Sequence, residues 1–538
     1  MGTSRSWQVA AALSLLAWCA VMLGVRRNAS ITDDWQGWRQ ADTQAIARNL
    51  AFEELDPLRP RIDWRGDGPG YVEAELQLYP ALIALAIRAA GESVWPGQLL
   101  SLVCTVLAAA IVFAALARRF GGPAAYLALV AILGHQGTIA MSTSIQPDSL
   151  ALLAFTIGFV AFVRYLELGT TGAAADPPDQ RNARAWLATW VAATAIAGLV
   201  KPTTLELGIV QFVLAVLASR SAATPGPRAL RDPWLWIGWA IVLAAVGAYL
   251  WFARGLYVAY GNTFGVLSGG DSKLPARDML ALPETWLGLA RYAVMWGVGV
   301  PAVPAALYLA WRRRLGPEPI ALAVGAVAVC LVALRYMSGP FGTHYHLPHI
   351  VLGGWLVAAA AAELVPRVPR RVGVALAAAL VVAALGLGAR GVRFLRGLPP
   401  EPETAIGHRL AQLAAPGTLV AVRARAEGYN LEWHTVNNFE DPRVFYLSRT
   451  HGWVLPNDLV GPAGAARLAE VSGRGARFYV HLHQKPIDAD LAAWLASHAA
   501  LVERSPAGEI YQLGQLGQLG QLGQLGQPGQ SGAGPSVR

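Results

Sequence analysis

Two adjacent carboxylates stand where the chain leaves its first apolar run. Asp33 and Asp34 follow residues 7–25. Because carboxylates beside hydrocarbon are costly to hold, such a pair calls for an explanation, and it could remove a proton from an acceptor or bind a cation. The alternative is a solvated loop that leads into a helix over 43–50, with Asp42 as its cap.

Three further positions carry groups that could act with this pair. Asp148 begins an apolar run, where it is either a helix cap or a second acid. Lys201 separates two apolar runs, and its ammonium group either reaches the membrane surface or contacts a phosphate. Histidines spaced two and three residues apart form the third position: His344, His346 and His349. They could bind a metal ion or donate hydrogen bonds to a phosphate or sugar.

The composition is that of a membrane protein. Of the 538 residues, 54% are hydrophobic and 14% are charged, and the mean hydropathy is +0.40. Soluble proteins carry about 25% charged residues. The net charge of +9 does not indicate nucleic-acid binding, because the excess of Lys and Arg is first explained by membrane anchoring. All three cysteines lie in apolar runs, which argues against a disulfide framework.

Apolar runs long enough to cross a bilayer predict a mainly α bundle of about eleven membrane spans. The runs lie near 7–25, 97–117, 124–141, 149–165, 185–200, 203–219, 234–252, 286–310, 319–336, 347–364 and 372–389. The shorter run 76–90 is interrupted by Pro80 and Arg88. We assign it, together with 36–50, to helices that lie on the membrane surface.

Arginine clusters define the orientation of these spans. They fall on one side of the predicted bundle, at Arg118-Arg119, Arg164, Arg181 and Arg184, Arg220 with Arg228 and Arg231, Arg312-Arg313-Arg314, and Arg367 with Arg370-Arg371. The positive-inside rule makes that side cytoplasmic and places the N-terminus there. The loop 26–96, Asp148, Lys201 and the histidines then lie on the opposite, exoplasmic side.

The C-terminal part differs in kind from the bundle at 1–389. Residues 390–511 read as a small α/β domain. Its first part is a linker with prolines at 399, 400 and 402. The predicted elements are a helix Glu403–Leu413, a strand Thr418–Val422, a strand Arg477–His483, a helix Ala489–His498 and a strand Glu509–Leu513. The tail 512–538, with its Gln-Leu-Gly repeats, is predicted to be disordered.

The ordered set of motifs resembles the GT-C superfamily of polytopic glycosyltransferases. The nearest resemblance is to bacterial proteins described as protein mannosyltransferase-like or aminoarabinose-transferase-like, and it covers residues 1 to about 390. It is carried by Trp38-Arg39-Gln40-Ala41-Asp42-Thr43 with Ile46-Ala47-Arg48-Asn49, Glu75-Leu76-Gln77-Leu78-Tyr79-Pro80, Gln146-Pro147-Asp148, Val200-Lys201-Pro202 and His344-Tyr345-His346-Leu347-Pro348.

The resemblance implies an inverting transfer of a sugar from a polyprenyl-phosphate donor to an acceptor hydroxyl. The role of catalytic base falls on Asp33 or Asp34, and Asp148 assists. The family often has Asp-Glu where this chain has Asp-Asp; we take Asp33 as the base and Asp34 as its neighbour in acceptor or metal positioning. Lys201 is the predicted phosphate contact. The other predicted substrate-binding residues are Arg39, Glu75, Tyr79, His344, Tyr345 and His346.

The predicted partners are the bilayer, a polyprenyl-linked sugar, and a glycan, lipid or protein acceptor, with no nucleic acid. The expected location is the cytoplasmic (inner) membrane, with the active site facing the periplasm or exterior. A metal ion is not required, because the leaving group is already a phosphate, but a divalent metal stays open. Two other classes also stay open. One is a transporter or lipid flippase, although the chain shows no internal repeat; the other is an assembly protein that binds a partner through 390–511.

Overall fold

The computed structural model describes residues 5–26, 30–169, 177–220, 228–268, 275, 277–430, 435–483 and 485–514. The chain divides into two compact units. The first, called here the membrane unit, comprises 1–62 and 71–399, and the second comprises 63–70 and 400–538. The predicted domain boundary at 389 falls inside the helix Arg370–Arg396, because this helix continues beyond its apolar run. The predicted disordered tail lies outside the described residues from 515 onward.

The membrane unit is built almost entirely from helices. In chain order they are α1 (Arg5–Arg26), α2 (Gly37–Phe52), α3 (Leu78–Ala90), α4 (Trp95–Phe120), α5 (Gly122–Leu133), α6 (Gln136–Met141), α7 (Asp148–Gly169), α8 (Pro177–Val200), α9 (Glu206–Arg220), α10 (Arg228–Arg231), α11 (Pro233–Tyr260), α12 (Arg277–Ala281), α13 (Pro283–Tyr292), α14 (Ala302–Trp311), α15 (Pro317–Val332), α16 (Leu334–Met337), α17 (Ile350–Leu364) and α18 (Arg370–Arg396). Short 3-10 turns at Pro202–Leu205, Thr343–His349 and Val365–Arg367, and a π turn at Ala293–Val298, complete the unit. The parallel strands β1 (Val72–Glu73) and β2 (Asn262–Thr263) form a small ladder.

Every predicted span has a helix, but not every helix is long. Among the described residues, eight helices are long and apolar enough to cross a membrane, and α13 with α14 makes a ninth that is bent by 98°. The runs 124–141 and 319–336 contain the shorter apolar helices α5 and α15. The spans predicted at 124–141 and 319–336 are longer than α5 and α15, because apolar residues continue past the point where each helix ends.

Local backbone features explain these breaks. The bend between α13 and α14 falls at Gly299, which has φ of 86°, a conformation that favours glycine. Here α17 approaches closely: a Cβ at Gly353 would collide with the carbonyl of Val298. Helix α5 ends before Gly134, where a Cβ would collide with the carbonyl of Ala384 in α18. These glycines let helix backbones pack closer than side chains would allow.

Helix α2 runs from Gly37 to Phe52 and corresponds to the predicted helix 36–50. Asp42 lies inside it, which argues against the alternative of a loop followed by a helix over 43–50 that Asp42 caps. Nearly all of its residues are buried, including polar ones such as Gln40, Gln44 and Asn49, so α2 packs within the unit instead of turning a polar face to water. By contrast, α3 keeps apolar residues exposed on one face, as a helix on a membrane surface does.

The second unit is a mixed sheet with helices. Its five-stranded sheet has the order β6-β3-β7-β9-β8, in which β3 pairs in parallel with β6 and β7, and β9 pairs antiparallel with β7 and β8. The elements are α19 (Pro402–Leu413), β3 (Leu419–Arg423), β4 (Tyr429–Asn430), β5 (Thr435–Val436), α20 (Arg443–Ser448), β6 (His451–Leu455), α21 (Gly461–Gly473), β7 (Phe478–Leu482), α22 (Ala489–His498), β8 (Ala499–Ser505) and β9 (Gly508–Leu513). The segment 63–70 joins this unit through backbone hydrogen bonds to Gly452.

Candidate functional site

The two aspartates after α1 lie in a tight turn. The backbone N–H of Gly37 donates to the carbonyl of Asp34 at 2.8 Å, and a Cβ at Gly37 would collide with the carbonyl of Thr32. Gln36 has a left-handed backbone with φ of 55°, which costs energy in a residue other than glycine. Strain of this kind is often found at functional sites, where the surrounding structure enforces it.

Asp34 is the anchor of this turn. Its side chain is 4% exposed and forms an ion pair with Arg26. One of its oxygens accepts the backbone N–H of Trp35 at 2.7 Å, and the other accepts the side-chain amide of Gln40 at 2.7 Å. Because both oxygens are bonded and the charge is balanced, Asp34 is poorly suited to remove a proton or bind a divalent cation. These contacts favour a structural role for Asp34, and its catalytic role stays a prediction.

The partners of Asp34 also tie the turn to the loop that precedes Asp148. Arg26 Nε donates to Thr143 Oγ1 at 2.8 Å, and its guanidinium donates to a carbonyl of α6. The side-chain oxygen of Gln40 accepts the backbone N–H of Ile145 at 2.9 Å. Arg26 and Gln40 therefore join two loops that are far apart in sequence, a role that no local pattern predicts.

Replacing Asp34 by asparagine tests the anchoring role. The variant leaves the buried Arg26 charge without its counter-charge, so we expect the free energy of unfolding to fall by about 3–5 kcal/mol. The measurement is unfolding of the purified protein in detergent. Asp33→Asn is the matched control and should lose about 1 kcal/mol or less. An Asp34→Asn protein as stable as the wild type would contradict the anchoring role.

Asp33 is the other member of the pair. It is half-buried, in a turn that is fixed on both sides. Gln36 donates its side-chain amide to the carbonyl of Phe341, and the ring of Trp35 stacks on Trp296 with 4.8 Å between ring centroids. Asp33 thus combines partial exposure with a rigid support, which is what a reacting carboxylate needs.

A second group, the polar cluster, comprises Arg39, Glu75, Asp148, Lys201 and Tyr345. Lys201 Nζ lies 3.2 Å from Asp148 Oδ1, and the two side chains are 4% and 3% exposed. The same ammonium lies 4.7 Å from the centroid of the Tyr345 ring. Asp148 Oδ2 is buried and has no hydrogen-bond partner in the described part of the chain. Such an oxygen is costly unless a ligand or water donates to it.

Arg39 is the more open cation of the polar cluster. Its guanidinium donates to both oxygens of Glu75, at 3.2 and 3.4 Å, and its side chain is 14% exposed. Burial disfavours the charge of Arg39, but Glu75, followed by Tyr345 and Asp148, outweighs this effect and raises its pKa above the ordinary value. Arg39 therefore stays protonated and is well placed to meet an incoming anion.

Lys201 has a different environment from the one the sequence suggests. The sequence shows no acid nearer than Glu206 and so predicts an ammonium group that is available to a phosphate. The fold instead pairs Lys201 with Asp148 in a buried ion pair. Its first role is to hold Asp148, and a phosphate would share the ammonium group with that carboxylate.

Glu73, next to the cluster in sequence, shapes its surroundings. One of its oxygens accepts the backbone N–H groups of Leu267 and Ser268 at 2.8 and 3.1 Å, and the other accepts the Thr263 hydroxyl at 2.9 Å. The loop so fixed carries Phe264, whose ring centroid lies 5.4 Å from the Arg39 guanidinium. Glu73 thus holds the loop that packs beside Arg39.

Tyr79 lies outside the polar cluster, although the sequence predicts it to bind substrate. Its side chain is 0% exposed. Its hydroxyl donates to the carbonyl of Gly97 at 2.8 Å and lies 2.6 Å from Ser101 Oγ. Tyr79 therefore fastens α3 to α4, which favours a structural role, and its role in substrate binding stays a prediction.

Tyr79→Phe should consequently affect stability and not catalysis. Loss of the hydroxyl leaves the Gly97 carbonyl and Ser101 short of a partner, and the free energy of unfolding should fall by about 1–3 kcal/mol. The kcat for sugar transfer should equal that of the wild type. Unfolding curves and a transfer assay on the same preparation decide this; a reduced kcat at full stability would restore the predicted binding role.

The histidine cluster does not form one three-histidine site. The ring of His344 lies 4.2 Å from the Tyr345 ring, between centroids. By contrast, His346 and His349 group with Cys330, so that one ligand atom from each lies within 4.8 Å of the others. The sequence could not indicate Cys330, which lies in an apolar run far from the histidines.

Comparisons with known proteins agree with this architecture. Residues 77–252 match the family described as dolichyl-phosphate-mannose-protein mannosyltransferase, while a comparison with curated protein sequences found no significant match. The structure is similar to that of ArnT from Cupriavidus metallidurans bound to undecaprenyl phosphate, with 16% identity, a TM-score of 0.61, and coverage of 94% of this chain and 98% of that chain. It is also similar to the apo oligosaccharyltransferase of Archaeoglobus fulgidus, with 10% identity, a TM-score of 0.54, and coverage of 94% and 74%.

The chain thus has the fold of these membrane glycosyltransferases, as the resemblance to the GT-C superfamily implies. The predicted mainly α, multi-pass membrane bundle is confirmed. The matched family model describes a glycosyltransferase, which is the enzyme class that the sequence predicts.

Proposed function

We propose that the protein transfers a sugar from a polyprenyl-phosphate donor to an acceptor hydroxyl, with Asp33 as the base. The observation that carries this proposal is the arrangement of the loops. The turn that holds Asp33 is bonded to the loop before Asp148 through Gln40, and Asp148 is bonded to Lys201. A half-buried carboxylate and the cations Arg39 and Lys201 therefore lie on segments that are bonded to one another.

The cations of the polar cluster supply the donor site. A polyprenyl tail stays in the membrane, so the phosphate of the donor must be met at the ends of the spans. Arg39 offers planar donors that suit a phosphate, and Lys201 adds a compact charge. Positive groups that are already in place stabilise the charge that grows on the leaving phosphate as the sugar departs. The similarity to an ArnT structure that contains undecaprenyl phosphate supports a donor of this kind.

The carboxylates supply the acceptor side. The oxygen of the acceptor hydroxyl attacks the anomeric carbon of the sugar, and Asp33 takes the proton of that hydroxyl. The bond from that carbon to the phosphate oxygen breaks, and both electrons leave with the phosphate. Attack from the face opposite the phosphate inverts the anomeric centre. The unpartnered Asp148 Oδ2 accepts a hydrogen bond from a sugar or acceptor hydroxyl and so fixes its position.

The site is assigned to the exoplasmic face of the cytoplasmic membrane. Asp148 begins α7, and Arg164 lies near its end. At 1.5 Å per residue the two are about 24 Å apart along the helix, most of the thickness of a bilayer core. The positive-inside rule gives the arginine end to the cytoplasm, which leaves Asp148 and its partners on the periplasmic or exterior side.

One feature of the fold, a broken pair of helices, would also suit a transporter. Transporters use broken helices near their binding sites, and α13 with α14 is such a broken pair. The break also has a structural use here, because the π turn beside it presents Trp296 to Trp35 and so supports the aspartate turn. A transporter would move a lipid-linked sugar intact, whereas a transferase would separate the sugar from its phosphate.

Binding of undecaprenyl phosphate tests the donor site without knowledge of the sugar or acceptor. Native mass spectrometry of the purified protein should show one bound lipid. Because Arg39→Met removes a charge-assisted contact, the Kd should rise about tenfold or more. Arg291→Met is the matched control, since Arg291 is exposed and outside the polar cluster. An unchanged Kd for Arg39→Met would contradict the proposed phosphate site.

A further inference from the structure

Three buried side chains beside the polar cluster form a group of metal-ligand type. Cys330 lies near the end of α15, and His346 and His349 lie in the 3-10 turn Thr343–His349. They are 7%, 0% and 4% exposed, and one ligand atom from each lies within 4.8 Å of the other two. No step of the proposed transfer uses them.

The hydrogen bonds of both histidines leave one ring nitrogen available. His346 Nε2 lies 2.9 Å from the carbonyl oxygen of Met337, so Nε2 carries the proton and donates it. Its other nitrogen, Nδ1, then has a lone pair, and it is buried without a hydrogen-bond partner among the described residues. His349 Nε2 lies 3.1 Å from Glu206 Oε2, so the same reasoning leaves Nδ1 of His349 as an electron-pair donor.

These bonds are the kind that hold metal-binding histidines in place. A histidine that binds a metal usually donates its other ring N–H to a carboxylate or a backbone carbonyl, and both arrangements occur here. The charges also balance. A divalent ion, a thiolate at Cys330 and the carboxylate of Glu206 sum to zero, which suits a buried site where an uncompensated carboxylate would be costly.

We propose that Cys330 Sγ, His346 Nδ1 and His349 Nδ1 bind one transition-metal ion of the Zn²⁺ class, with Glu206 orienting His349. Thiolate and imidazole ligands favour Zn²⁺ over Mg²⁺ and Ca²⁺, which prefer oxygen. On binding, the thiol of Cys330 gives its proton to solvent. The ion would fix the turn that carries Tyr345 against Lys201, so it would position the polar cluster rather than react. This inference does not depend on the sugar-transfer activity.

Cobalt binding to the purified full-length protein provides the test. After treatment with a chelator, titration with Co²⁺ should produce a thiolate-to-metal charge-transfer band that saturates at about one ion per chain, as expected for a single Cys-containing site. Cys330→Ser should abolish the band. Cys104→Ser is the matched control, because Cys104 is also buried but lies in α4 and is not part of the group formed by Cys330 and the two histidines. This variant should keep the band.

Thermal unfolding with and without added Zn²⁺ gives an independent readout. Zn²⁺ should raise the midpoint of the wild type and of Cys104→Ser, because a ligand that binds the folded state stabilises it. It should not raise the midpoint of Cys330→Ser. Absence of the charge-transfer band in folded wild-type protein, or its persistence in Cys330→Ser, would overturn the metal site, and the wild-type result stands even if a variant fails to fold.

Discussion

Sugar transfer by the Asp33→Asn protein is expected to fall by about 10²–10⁴-fold, because the acceptor hydroxyl loses its general base. The amide has the shape of the carboxylate, so the turn should keep its fold. Binding of undecaprenyl phosphate should be unchanged, since the proposed phosphate contacts are Arg39 and Lys201. The loss should therefore appear in kcat, measured at saturating donor, and not in the affinity for the lipid.

Two further variants, Asp34→Asn and Asp33→Glu, test whether the loss of activity in Asp33→Asn comes from the loss of the base. Asp34→Asn should lower stability strongly, through the unbalanced Arg26 charge, while the protein that stays folded retains more transfer activity than Asp33→Asn. Asp33→Glu keeps the carboxylate and should recover part of the lost rate. If Asp33→Asn transferred sugar at the wild-type rate and Asp34→Asn did not, the two aspartates would have to exchange their roles.

Lys201→Met should have the second large effect, on both stability and activity. It leaves Asp148 buried without its counter-charge, and breaking a pair of this burial costs about 3–5 kcal/mol of folding free energy. It also removes one of the two cations assigned to the phosphate. We expect a lower unfolding midpoint in detergent, together with a weaker affinity for undecaprenyl phosphate and a lower kcat.

A double variant separates these two contributions. Lys201→Met combined with Asp148→Leu removes both buried charges, so most of the lost stability should return. Activity should not return, because the phosphate contact and the carboxylate that receives a substrate hydroxyl are both absent. Recovery of activity along with stability would show that the ion pair only supports the fold, and would remove Lys201 and Asp148 from the proposed site.

The elements of the fold follow from local patterns and were largely predictable. Apolar runs determine where helices form in a bilayer, and alternating residues indicate the strands of the second unit. The predicted helix Ala489–His498 has the same bounds as α22. The main errors are the break after α5, where the backbone departs from the hydrophobic pattern, and the elements α20, β6, α21 and β8 of the second unit, which were not predicted.

The contacts of the site were beyond the reach of a single sequence. Which spans lie side by side depends on packing between distant segments, so the pairs Lys201–Asp148 and Arg26–Asp34 carry no local signature. Residue types could identify acids and cations on one face of the bundle. They could not tell that Asp34 is neutralised or that Tyr79 is enclosed, because both facts depend on three-dimensional neighbours.

The most direct test of the account follows the fate of the lipid. Purified wild-type protein is placed in liposomes. It is supplied with a polyprenyl-phosphate donor that carries an isotopically labelled sugar, and with membrane acceptors, both prepared from the organism that produces the protein. The account predicts that polyprenyl phosphate and labelled acceptor form mole for mole, and that Asp33→Asn forms neither. Transfer of the lipid-linked sugar across the bilayer without its cleavage, or labelling of the acceptor without release of polyprenyl phosphate, would contradict it.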